Sequence, residues 1–310
     1  MSFSKYKYII AGLLLYAAAV LYLHGAFEQP LADLLSAFFI LGIGFSFIAW
    51  LFTKQLAEPA QEPLLRNERV LLLLLVLWIL FYITYGGGLI NHFIPKKLLE
   101  NPQSNSIIVF ARKLLVFVLI PFAVYKVCGF TAKDFGLTHT TVKLGDRHIL
   151  LLFIVLSVAA LLFQYFLSNG SKPLRDELFG SKQLFTGIPL AFIYLFFDAG
   201  LIEEFFFRAL LQSRLTVLLK SATGGIVVSA VVFGLVHAPG LYLRGAESEG
   251  ISESLPFLFW ASYTIAYMSL AGIFLGIVWS KTKNLWLLMA LHAMVDLLPN
   301  LPEFIRDWHL

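Results

Sequence analysis

Long apolar runs separated by short polar stretches dominate the chain from residue 8 to residue 301. A bilayer span needs about 20 mainly apolar residues. The runs predict nine helices, at about 8–26, 31–52, 70–90, 106–127, 148–168, 186–213, 224–243, 257–280 and 285–301. The last is short enough to be buried within a bundle rather than to face lipid. The pattern is that of an all-α polytopic membrane protein with about 8–9 transmembrane helices, and no internal repeat is visible. About five spans fall within 1–170, and the remainder form a second unit at 184–301.

The second unit breaks its apolar pattern at a few positions. The sixth span contains Ile202-Glu203-Glu204-Phe205-Phe206-Phe207-Arg208, the seventh carries Phe233 and His237, and the ninth carries His292 and Asp296. Charge at bilayer depth is costly, so such groups are functional candidates by default. A rise of 1.5 Å per residue places Glu203 roughly 16 Å from the end of its span near Arg214, and His237 roughly 20 Å from the same side. His292 and Asp296 lie roughly 10 and 16 Å in. Four polar groups from three spans thus reach one layer.

Spacing refines this picture. His292 and Asp296 are i,i+4 and share a face, as do Phe233 and His237. Glu204 and Arg208 are also i,i+4 with the acid first, the favourable order for a salt bridge. Glu203 then points about 100° around the helix from its neighbour. Pro239-Gly240 is expected to end or break the seventh helix just after His237. A break at that depth is tolerated only where it lines protein or a wet cavity. The expectation is a water-filled chamber walled by a four-helix core, helices six to nine.

Composition narrows the class. Apolar residues make up 59% of the chain and charged residues 14%, and mean hydropathy is +0.82. Soluble domains carry roughly 25% charged residues. The net charge of +4 fits basic loops beside lipid headgroups rather than nucleic-acid binding. Cys128 is the only cysteine, which rules out an internal disulfide and thiolate clusters. Loop Lys and Arg are about two to one in favour of the side holding Lys5, Lys7, Lys54, Arg66, Arg69, Lys126, Lys133, Lys143 and Arg214, so the N-terminus is expected to be cytoplasmic. A bacterial-type inner (plasma) membrane is the expected location. Arg112 and Lys113 sit near the outer end of the fourth span and are expected to snorkel to the interface. His24, His92, His139, His148 and His309 fall in loops or near span ends and receive no role.

Carboxylates and imidazoles in a low-dielectric chamber suit general acid–base chemistry. No serine or cysteine joins the set as a nucleophile, so water attack on an amide is the natural reaction. Glu203, His237, His292 and Asp296 are also the ligand types that hold a divalent metal such as zinc, and their spread over three helices does not decide the matter. A proton-coupled transporter would use the same groups, although it predicts an inverted repeat. A non-catalytic membrane immunity or scaffold protein is the third class.

The ordered motifs Glu203-Glu204-x-x-x-Arg208, Phe233-x-x-x-His237 and His292-x-x-x-Asp296 resemble those of the CPBP/Abi family of CAAX-type intramembrane glutamic endopeptidases, which includes the Ras-converting CAAX endopeptidase. Small residues Ser229, Ala230, Gly234 and Ala238 around His237 add to the likeness, which covers about 184–301. The resemblance implies a glutamate-dependent peptidase, with metal-free catalysis favoured over a divalent metal such as zinc. Glu203 would activate water with help from His237, while His292 and Asp296 would serve an oxyanion site or orient water. Glu204, Arg208 and Phe233 would support them. It also implies a membrane-associated protein or peptide as substrate, cut near its C-terminus within the lipid bilayer. Asp296 departs from the asparagine of the CAAX endopeptidase. A carboxylate cannot donate to an oxyanion unless protonated, so the departure raises the metal reading.

Overall fold

The computed structural model describes residues 6–56, 67–132, 134–137, 147–176, 179–244 and 255–310. Lys5, Arg66, Lys133, Lys143 and His139 lie outside them. Among the described residues there are no strands, and nine helices are long and apolar enough to cross a membrane. They are α1 (Lys7–Phe27), α2 (Leu31–Thr53), α3 (Glu68–Gly86), α4 (Pro102–Val127), α5 (Arg147–Leu167), α6 (Ser181–Leu219), α7 (Ala222–Leu243), α8 (Phe257–Thr282) and α9 (Leu285–Asp307). The chain is an all-α, multi-pass integral membrane protein. Large apolar side chains such as Leu21, Phe39, Leu73 and Phe166 stand exposed on the outer helices, as expected where lipid rather than water is the solvent.

The stretch Glu204–Arg214 of α6 is buried throughout. Phe205, Phe206 and Phe207 point about 100° apart, yet all are buried. Phe205 packs on Phe135, with ring centroids 5.2 Å apart. Phe206 meets Phe117 of α4 at 5.5 Å, and Phe207 meets Phe233 of α7 at 5.2 Å. The neighbours approach closely where side chains vanish. A Cβ on Gly200 of α6 would lie 2.6 Å from the Met289 carbonyl oxygen of α9, and one on Gly234 of α7 would lie 2.7 Å from the Thr264 carbonyl oxygen of α8. Small residues at such contacts let membrane helices pack by van der Waals contact of their backbones, which gives the small residues before His237 a structural reason.

Several sequence expectations need correction. α7 runs on through Pro239 to Arg244. The proline removes one N–H from the ladder, and the helix on either side continues, so the predicted break after His237 is absent. α6 extends to Leu219, which puts Arg214 inside the helix instead of in a loop; there it is buried 2.9 Å from the equally buried Glu68 of α3. α9 likewise continues through Pro299 and Pro302 to Asp307. α8, read as one run, is interrupted at Tyr267, whose φ of −116° separates Phe257–Ala266 from Met268–Thr282.

Candidate active site

Glu203 stands at the junction of two π-helical stretches in α6, Phe196–Leu201 and Glu204–Gln212. Such winding is rare and frequently accompanies functional sites, although α2, α3 and α4 also contain π-helical stretches. It gives the two glutamates different surroundings. Glu204 is completely buried, its Oε1 3.0 Å from Arg208 Nη1. The Arg208 guanidinium in turn lies 4.2 Å over the Phe233 ring. The i,i+4 pair expected from the sequence is therefore present, inside the protein rather than on a surface.

Glu204 also holds a histidine. His292 Nδ1 donates to Glu204 Oε1 at 2.5 Å. His237 Nδ1 donates to the Phe233 carbonyl oxygen at 2.7 Å. A carboxylate and a carbonyl can only accept, which assigns the proton to Nδ1 in both rings and turns both Nε2 atoms the other way. There they meet Glu203, whose Oε2 is 3.6 Å from His237 Nε2 and 3.7 Å from His292 Nε2. Asp296 Oδ2 is 3.4 Å from His292 Nε2. Phe233 lies between the rings, 5.0 Å from that of His237 and 6.0 Å from that of His292.

Exposure divides the set in two. The side chains of Glu203, His237 and Asp296 are 20%, 29% and 32% exposed, while Glu204, Arg208 and His292 are 0%, 1% and 5% exposed. The first three form an accessible face and the others back it. Separations of 3.6–3.7 Å exceed a direct hydrogen bond and lie within ion-pair range. All seven residues singled out in the sequence come together here, and the placement rests on folded helices rather than a helix break. Tyr263 stacks on Phe259, with centroids 6.1 Å apart, and Thr264 is buried; both are accounted for by packing. Among the described residues, no group of three His, Cys, Asp or Glu side chains is placed to hold a metal ion.

The sequence reading missed one neighbour. Lys113 of α4 does not snorkel away but forms a 2.7 Å ion pair with buried Asp198, five residues before Glu203. Arg112 meanwhile bonds Asn91. The available signal was a charge on each of two spans, but nothing local to either paired them.

Comparison with curated proteins and with solved structures returned no match. A family model matches residues 185–298, that of the type II CAAX prenyl endopeptidase Rce1-like proteins. That stretch contains every residue of the cluster around Glu203. Residues 185–298 of this membrane protein are thus similar to the Rce1-like, CAAX-type endopeptidases.

Proposed function

We propose that the protein is an intramembrane endopeptidase that hydrolyses a peptide bond near the C-terminus of a membrane-associated protein or peptide, with Glu203 as the base. The observation that carries this reading is the Glu203 carboxylate, on the accessible face, 3.6 Å from His237 Nε2 and 3.7 Å from His292 Nε2. A water bridging Glu203 and His237 loses a proton to Glu203 as its oxygen adds to the scissile carbonyl carbon. Glu203 then returns that proton to the departing amine. The developing oxyanion needs a donor. An ionised Asp296 has none, and both Nδ1 protons are already given to Glu204 and the Phe233 carbonyl, so an imidazolium carrying a second proton on Nε2 takes that role and Asp296 orients His292. Glu204 and Arg208 hold His292 from behind. The unit 184–301 supplies the chemistry, and 1–170 supplies helices that enclose α6. The basic bias of the loops supports a cytoplasmic N-terminus in a bacterial-type inner membrane.

The family description makes prenylated C-terminal tails the first substrates to try, beside unmodified membrane-anchored peptides. The test is to compare C-terminal peptides from membranes expressing wild type and Glu203→Gln. At least one uncut membrane protein accumulates in Glu203→Gln, whose unfolding midpoint stays at the wild-type value. Cleavage by purified protein survives chelator. If Glu203→Gln cleaves like wild type, the reading is refuted; if chelator abolishes cleavage and zinc restores it, a metal-activated water replaces the glutamate base.

A further inference from the structure

Outside the family-matched stretch, one buried side chain reaches into the helix that carries His292 and Asp296. Gln164 of α5 is 4% exposed. Its Nε2 donates to the Met294 carbonyl oxygen at 2.9 Å, and its Oε1 accepts from the Leu298 N–H at 3.1 Å. Those partners fix which end of the amide is which, since a carbonyl must receive a donor and an N–H an acceptor. Met294 and Leu298 are four residues apart, so they are the two groups an α-helix joins to each other. The amide bridges this rung of the ladder from the neighbouring helix, and α9 continues as an α-helix through it.

The next rung is altered too. Pro299 lacks an N–H, so it cannot bond the Val295 carbonyl. Asp296 lies inside the turn defined by these two rungs, and Asn300 Nδ2 donates to its carbonyl oxygen at 2.8 Å. The ladder that would otherwise dictate where Asp296 stands is therefore weakened by a proline and completed by another helix. An amide offers donor and acceptor together in one planar group at this reach without any change of protonation. An apolar residue of equal length would fill the space and leave both backbone groups without this partner.

We infer that Gln164 is a positioning residue: its amide, bonded to both Met294 and Leu298, sets where Asp296 stands relative to His292. The inference rests on the reading of His292 and Asp296 as site residues. It also gives the N-terminal spans a part in the site beyond enclosing α6.

The test uses the full chain in detergent with ¹⁵N-labelled histidine. Gln164→Met keeps length and removes both hydrogen bonds; Gln164→Asn, too short to reach both groups, supplies the same readouts if Gln164→Met does not fold. The His292 imidazole signals move towards those of Asp296→Asn, while the His237 signals stay in place. Cleavage loses about 10- to 100-fold in kcat with KM unchanged, and the double variant with Asp296→Asn is no slower than Asp296→Asn alone. His292 signals at their wild-type positions overturn the inference, as does a double variant whose loss is the product of the two single losses. If wild type cleaves nothing, the peptidase reading fails by itself, and the His292 signals still decide the role of Gln164.

Discussion

Replacing Arg208 with methionine keeps a long apolar side chain and removes the guanidinium 3.0 Å from Glu204 Oε1. Glu204 is then a carboxylate with 0% exposure, held only by His292 Nδ1. Its Oε2 has no hydrogen-bond partner among the described residues, so no second donor compensates. Removing one partner of a buried ion pair costs about 3–5 kcal/mol, because the other charge is left in a medium that cannot solvate it. At tenfold per 1.4 kcal/mol, the unfolded fraction rises roughly 100- to 4,000-fold. Equilibrium unfolding in mixed detergent micelles, followed by tryptophan fluorescence, reads this directly. The double variant Glu204→Gln with Arg208→Met has no charge to strand and retains an acceptor for His292 Nδ1–H, so it recovers at least half of the loss. Were Arg208→Met as stable as wild type, or the double variant less stable than Arg208→Met, the pair would not be the clamp behind His292.

Three further outcomes follow from the same geometry. Gly200→Ala forces α6 and α9 apart against the Met289 backbone, which lowers stability by about 1–3 kcal/mol and cuts cleavage; full activity would show that Glu203 tolerates such a shift. Lys113→Met strands the buried Asp198, so stability falls by about 1–3 kcal/mol, and adding Asp198→Asn restores most of it in the same unfolding assay. Glu68→Gln breaks the buried pair with Arg214, eleven residues along α6 from Glu203. It lowers the unfolding free energy by about 3–5 kcal/mol while leaving the kcat of the folded fraction within about twofold; a large kcat loss would mean that this pair is coupled to the site.

Hydrophobic length alone determined the nine spans, because the cost of leaving backbone groups in lipid makes each long apolar run a helix whatever its neighbours do. Spacing within one helix likewise determined that Glu204 meets Arg208 and that Asp296 lies beside His292, since i,i+4 contact is a local property. Rules for single residues were less dependable: Pro239 signalled a break, yet packing kept α7 continuous. Tertiary structure alone decided which charges found each other across spans. Lys113 joins Asp198 and Arg214 joins Glu68, and His292 turns towards both glutamates. It also decided that Gln164 enters the ladder of α9. Those contacts depend on how helices distant in sequence rotate and wind against each other, including the π-helical turns on either side of Glu203. A 3.6-residue periodicity carries no record of either, because a buried polar group is satisfied by whichever partner the packing brings within reach.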